Sequence, residues 1–427
     1  MSPFIRPYSM IMMAIAIPIA FFSYSSAMAD GERTITFSGQ VVHILQKHCQ
    51  ECHHPGGTAP MSFMTYDETR PWVKSIQKQI GAHKMPPWHL DPKVGTWQND
   101  RRLTTEERET ILAWVEQGAP EGDPKGLPER RSFPVEWQRG EPDVVFELPE
   151  AMVFPAGETS GTLNALVPTR FTEDRWIKGA EVLPGNPDLI HHVLVYAARF
   201  AVIANQQDRE PLLRTFLTAY APDRGHFDIG PGEGVLVPAG AVLLVQVVYA
   251  KEPEIEAMEI TRVGLRFADY VVRKRKYLDM VGTTDILVPA GDSHYERSAA
   301  RRVDDAITIH GVAPHMHYRG ASMKFSAQIP GRADPAVLMN TPSYDYNFNV
   351  VYIPEDPIHI PAGTTLHAEA VFDNSSDNPN NPDPTVDVPF GLGAYEEMMY
   401  TFYSYTKDNE WLNAKDPAFE TEARNTK

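Results

Sequence analysis

Val237-Pro238-Ala239-Gly240 leads into Ala241-Val242-Leu243-Leu244-Val245-Gln246-Val247-Val248-Tyr249, and the pattern returns at Ile360-Pro361-Ala362-Gly363 before Thr364-Thr365-Leu366-His367-Ala368-Glu369-Ala370-Val371-Phe372. Proline presets φ and glycine accepts positive φ, so each Pro-Ala-Gly reads as a turn that introduces a strand. The same triplet follows an apolar residue at Phe154 to Gly157 and at Val288 to Gly291. With two instances in each half and strands that align position for position, two related β-domains in tandem are expected. Their bounds are 143–278 and 279–410, each a β-sandwich. A content of 37 prolines also favours a turn-rich β architecture over long helices.

Upstream the character changes. Residues 125–142 are rich in proline, glycine and charge and read as a linker, and 30–124 as a compact helical unit. Val41, Leu45 and His48-Cys49 recur at helical spacing. Thr104-x-x-Glu107 is a capping box, Ile111, Leu112 and Val115 form one apolar stripe, and Gly118 with Pro120 ends that helix. Between these helices the only two cysteines sit in Cys49-Gln50-Glu51-Cys52-His53. This is the attachment signature of a c-type haem: each thiol adds to one vinyl group and His53 supplies the proximal imidazole. The layout is that of a small cytochrome c. Lys84-Met85-Pro86-Pro87-Trp88 places the Met85 thioether on a stiff turn as distal ligand, and His/Met ligation raises a haem's reduction potential. His83 and His89 compete for that position, with His54 and Met61 as further alternatives.

Residues 1–29 read as a secretory signal, with Arg6 in the n-region, Met10 to Phe22 as the apolar core and Ala27-Met28-Ala29 before the cut. Pro18 interrupts the apolar run, which is shorter than the roughly 20 residues of a membrane span. A periplasmic or secreted protein with no transmembrane span after cleavage follows, and residues 411–427 form a tail. The 427-residue chain carries 39 basic against 56 acidic residues, net −17, which argues against nucleic acid and anionic membrane as partners.

Three clusters in the β region carry metal-binding chemistry. His191-His192 opens a strand. Pro314-His315-Met316-His317-Tyr318-Arg319-Gly320 holds two histidines that share a face if the segment is a strand. Glu396-Glu397-Met398-Met399-Tyr400 offers thioethers late in the second β-domain. Two imidazoles with a soft thioether suit copper, which cycles between Cu(I) and Cu(II).

With Pro184-Gly185-Asn186, the run Phe372 to Pro384 and Glu397-Met398, these stretches resemble the copper type II, ascorbate-dependent monooxygenases, the group of peptidylglycine α-hydroxylating and dopamine β-monooxygenases. The likeness spans both β-domains in the right order, and the cytochrome segment is similar to those fused ahead of such modules in bacterial proteins. The resemblance implies two jelly-roll-like domains with separated coppers. One copper binds O₂ through two histidines and a methionine, carried here to His315, His317 and Met398. The other relays electrons through three histidines, two of which map to His191 and His192. The third, in a Gln-x-His-Tyr strand, falls on Val248 in Gln246-Val247-Val248-Tyr249, and valine cannot coordinate. His226, His294, His310, His359 and His367 are the candidates to replace it. Arg319, Tyr318 and Tyr346 are candidates to line the cleft.

The reaction so implied is hydroxylation of a C–H bond in a small organic or peptide substrate, with O₂ as co-substrate and electrons from ascorbate or a redox protein delivered through the haem. Val248 motivates a second reading, a non-catalytic electron-transfer or copper-binding protein. A third reading takes the β-domains as metal-free partner-binding sandwiches.

Overall fold

The computed structural model describes residues 34–412 apart from 58, 134–135, 149–151, 155–160, 187–189, 205–214, 221–225, 250–256, 349 and 392. The expected export segment, the first Pro-Ala-Gly and most of the tail lie outside the described residues. Among the described residues no helix is long and apolar enough to cross a membrane.

The N-terminal part is helical. Thr36 accepts from the Gly39 N–H at 3.1 Å and starts a π-helical turn, Phe37–Val41, which continues as the helix Val42–His48 and delivers the chain to Cys49. Helices Tyr66–Thr69, Val73–Gly81 and Thr105–Glu116 complete the unit. The expected capping box is present: Thr104 Oγ1 accepts from the Glu107 N–H at 3.1 Å and Glu107 Oε2 from the Thr104 N–H at 2.9 Å. Helix Thr105–Glu116 gives way at Gln117 to Gly118, whose φ of +87° suits glycine. Phe37, Leu45, Ile76, Ile80, Ile111 and Trp114 form its core.

One stretch departs from the expected boundary of this unit. Leu90 and Trp97 are buried in the core of the second β-half, against residues such as Val312, Met316 and Tyr352, rather than among the helices. Hydrogen bonds along 91–99 fix the stretch to the strand Ala336–Thr341 and to residues 351–355.

From Val144 onward the protein is built of β-sheets. Strands Gly161–Pro168, Val242–Tyr249, Ile190–Ala198 and Phe216–Tyr220 lie side by side in one four-stranded sheet. In a second, the order is Tyr295–Arg302, Thr365–Phe372, Gly320–Gln328 and Ala336–Thr341. The two sheets repeat each other, and the strands quoted at the outset occupy the same place in each. Tyr249 pairs with Gly161 and Phe372 with Tyr295. Both sheets carry an irregularity at the same point, between Ile190 and His192 and between Gly320 and Ser322. The turn glycines Gly240, Gly291 and Gly363 have φ of +70°, +72° and +82°, as the Pro-Ala-Gly reading requires.

Each four-stranded sheet packs on one half of a larger sheet. Under the first lie Val144–Glu147, Arg262–Phe267, Arg175–Leu183 and Glu233–Val237; under the second, Lys274–Gly282, Tyr400–Lys407, Ile307–His315 and Ile358–Ile360. The alternation of strand side chains fills the space between layers with Ile177, Val193, Val245 and Leu265 in one half and Ile309, Phe325, Leu366 and Tyr403 in the other. The halves join edge to edge through a parallel contact, Lys274 with Glu233 and Arg275 with Gly234. Strand Lys274–Gly282 therefore runs through the expected junction at 278/279, because it starts beside the first half and ends paired with Tyr400–Lys407 of the second.

Candidate metal and haem sites

Strand Ile307–His315 pairs antiparallel with Tyr400–Lys407, and His315 lies directly opposite Tyr400. Successive strand residues alternate faces, so His315 and Tyr400 share one face and Val312 and Tyr403, in the core, the other. The ring of His317 stands edge-on to that of His315, centroids 5.3 Å apart at 88°. Met398 precedes Tyr400 by two residues, and the two are buried together with Met280 at the same end of the sheet. The fold thus brings His315, His317 and Met398, separated by eighty residues of sequence, to one strand end.

Two contacts fix this arrangement. His317 Nδ1 lies 3.0 Å from the Glu396 carbonyl oxygen. A carbonyl only accepts, so Nδ1 carries the hydrogen and Nε2 the lone pair, the tautomer a metal ligand needs. The fully buried Glu397 carboxylate then clamps the opposite segment: Oε2 accepts from the His317 N–H at 2.9 Å and Oε1 from the Arg319 N–H at 2.7 Å. Burial pushes this carboxyl up to about 7, against the amides of Arg319, His317 and Met398 and the Arg319 charge, which pull it down. The signal available for this clamp was a carboxylate immediately before the apolar pair Met398-Met399, a position that folds inward.

Tyr346 is buried and stands edge-on to His317 at 5.8 Å, with Tyr318 4.5 Å beyond and Tyr395 a further 6.0 Å out and exposed. The tyrosines border the candidate site. Arg319 does not line a cleft. It is 2 % exposed and holds the segment together, Nη1 donating to the Tyr395 carbonyl at 2.7 Å.

His191 and His192 lie on strand Ile190–Ala198 of the other half. The ladder pairs Ile190 with Tyr249 and His192 with Val248, so His191 is the inserted residue of a bulge. Val248 is the direct cross-strand neighbour of His192, at the position to which the resemblance would carry a third imidazole. Of the alternative histidines, four belong to the second half. His310 sits 3.1 Å from Thr406 Oγ1, His359 lies 2.8 Å from Asp408, and His294 lies 3.1 Å from Glu296. His367 pairs with Ala300 and Ser326 in the second four-stranded sheet, and His226 pairs with Glu181 in the large one. Among the described residues no three His, Cys, Asp or Glu side chains gather as a metal site. A metal held by His315 and His317 would need a third donor of another kind, such as a thioether.

In the helical unit Cys49 caps helix Val42–His48 and the Cys52 and His53 amides bond back to the Cys49 carbonyl, at 3.1 and 2.9 Å. His53 stacks on Phe63, centroids 4.2 Å apart, and its Nδ1 lies 3.1 Å from the Met61 carbonyl, again making Nε2 the lone-pair nitrogen. Burial, with the Glu107 charge, pushes the Cys49 thiol up to about 12, unlike the low-pKa thiols of redox disulfides. Of the distal candidates, His83 is held by Arg108, His54 stacks on Phe133, and His89 leans on Phe348 and bonds the Ser343 backbone. Met61 packs against the helical core. Met85 is 37 % exposed at the end of the turn.

No protein-family profile and no curated protein matches the chain. Among solved structures it is similar to the VP54 protein of PBCV-1 fitted into a reconstruction of the virophage Sputnik, at 8% identity over 66% of this chain and 98% of that one, TM-score 0.22. The major capsid protein P2 of bacteriophage PM2 gives 10% identity over 62% and 100%, TM-score 0.26. A peptide-N(4)-(N-acetyl-β-D-glucosaminyl) asparagine amidase gives 10% over 63% and 98%, also 0.26. Likeness at this level carries no argument about what the chain does.

Proposed function

We propose that the chain is an exported haem c and copper oxidoreductase, an O₂-dependent monooxygenase that hydroxylates a C–H bond with electrons delivered through the haem. In this reading a small cytochrome c domain precedes two jelly-roll domains. The observation that carries it is the convergence of His315, His317 and Met398 on one strand end, with the His317 tautomer set by the Glu396 carbonyl. Two neutral imidazoles and a thioether form a donor set suited to Cu(I), and copper so held would supply the one-electron chemistry needed to activate O₂. Cys49, Cys52 and His53 would hold the haem, with Met85 completing its coordination. The chain's own part is positional. Glu397 holds the His317 segment to its own strand end, and Phe390, Phe402 and Met280 pack around Met398 and Tyr400, which would limit water at a metal bound there.

The test is metal analysis of the exported protein together with Met398→Ile. The expected result is haem iron and copper in each chain, and loss of a sulfur scatterer from the copper X-ray absorption of the variant. Unaltered copper occupancy and absorption in the variant would remove Met398 from the ligand set and the catalytic reading with it.

Val248 opposite His192 favours a second reading, a non-catalytic electron-transfer or copper-binding protein that has lost one site. Copper near one per haem and no O₂ consumption with any reductant across a broad substrate panel would select it.

A further inference from the structure

The haem-attachment unit is not tethered only by its linker. Past Met85 the chain runs across the second β-half as a strap. Asp91 N–H bonds the Asn340 carbonyl at 2.9 Å, Gln98 N–H the Ile353 carbonyl at 2.8 Å, and Glu355 N–H the Thr96 carbonyl at 2.9 Å. Asn99 Nδ2 donates to the Val351 carbonyl at 2.8 Å and its Oδ1 accepts from the Ile353 N–H at 3.0 Å. Leu90 and Trp97, each 5 % exposed, anchor the strap in the β core. Two buried apolar anchors together with five hydrogen bonds make this a fixed joint rather than a passing contact.

After Pro86 and Pro87 come two aromatic residues, Trp88 and His89, that contact the β-half bearing His315 and His317. Trp88 meets Tyr352 edge-on at 5.0 Å, and His89 meets Phe348 at 5.8 Å. Phe348 closes a turn on Asp345, and within that turn Tyr346 reaches His317 at 5.8 Å. The His89–Phe348 contact therefore leads from the segment after Met85 to the turn that touches a candidate copper ligand, while Trp88 packs beside it on Tyr352. Strand Ile190–Ala198 belongs to the other half, and a valine, Val248, stands across the ladder from His192.

Resting on the haem and copper reading above, we infer that the strap through Trp88 and His89 is the electron entry route, feeding the His315/His317/Met398 centre directly and making a complete second copper site dispensable. An electron crossing it would leave a haem held by Cys49, Cys52 and His53 ferric instead of ferrous and a copper held at His315, His317 and Met398 cuprous instead of cupric, with no further reactant.

The experiment uses the full-length holoprotein with copper in the cupric state. A pulse of photoreduced flavin, substoichiometric to haem, is followed by haem absorbance. The expected result is a fast haem reoxidation that depends on copper. It is lost in His89→Gln and slowed in Trp88→Leu, while iron content, copper content and the haem spectrum stay the same. His89→Gln serves as the second variant because its half-buried side chain is replaced by another polar group, so it tests the route even where Trp88→Leu fails to fold. Trp72→Leu, on the exposed side of the helical unit, keeps the fast phase. A fast phase that survives both strap changes overturns the inference and leaves the haem and copper reading standing. A chain that holds no iron or no copper sinks both, and the metal analysis distinguishes the two failures.

Discussion

Replacing Glu397 by glutamine in copper-free, chelator-treated protein should flatten a pH dependence that the native protein shows. The native carboxyl is fully buried and pushed up to about 7 from an ordinary value of 4.5. A raised carboxyl means that the folded state binds more protons than the unfolded state between those values, so stability falls as pH rises through that window and is level above it. The shift corresponds to about 3.4 kcal/mol in full, of which about 2.5 kcal/mol accrues between pH 5 and pH 8. Glutamine keeps one acceptor oxygen but sets an amide NH₂ against an N–H that Glu397 now satisfies, at His317 or Arg319, a pH-independent cost of roughly 1–3 kcal/mol. The variant should therefore be the less stable protein at pH 5, and the gap should close by about 2.5 kcal/mol at pH 8. Urea titrations at the two values, followed by tryptophan and tyrosine fluorescence, read the difference. Parallel behaviour of the two proteins would refute the idea that this carboxyl is buried at the expense of its charge.

The helical unit should show the opposite slope in acid. Partial burial pushes Glu107 up, but the Thr104 N–H, Lys47 and His48 outweigh it and hold the carboxyl at about 2. Its contribution is complete above pH 4.5 and lost as pH falls through 2, and with solvent screening at a partly exposed site it amounts to about 1–2 kcal/mol. Glu107→Gln should remove that acid-dependent loss from the far-ultraviolet circular dichroism of the helices, and an unchanged acid transition would count against the capping-box account. Val248→His places an imidazole directly across the ladder from His192, with Cβ atoms roughly 4.5–5.5 Å apart. Copper retained per chain should rise by one, and an unchanged count with an unchanged EPR signal would show that the first half has no latent site.

Much of this architecture follows from local rules that need no tertiary context. A Pro-Ala-Gly turn requires a positive φ at its glycine, so Gly240, Gly291 and Gly363 announce the strands that follow them, and the two quoted strands do occupy equivalent places. The capping box at Thr104 is equally local, one side chain and one amide three residues apart. Cys49, Cys52 and His53 are neighbours in the chain, so their grouping survives any packing. The pair His315 and His317 is set by spacing alone, and the place of Val248 follows once the strand that carries it is aligned.

What required the folded chain is whatever depends on register and on which surfaces bury each other. Only the antiparallel ladder that sets His315 against Tyr400 brings Met398 to the same strand end as the histidines, because nothing in eighty intervening residues specifies that alignment. Glu397 is an ordinary acidic residue in one dimension and a buried clamp in three. The stretch from Trp88 to Asn99 lies between two helices in sequence, yet Leu90 and Trp97 bury themselves in a β core whose other members lie some two hundred residues or more downstream. Hydrophobic burial has no direction along the chain: it rewards any apolar surface that fits, and here it fastens the N-terminal helical unit to one β-half.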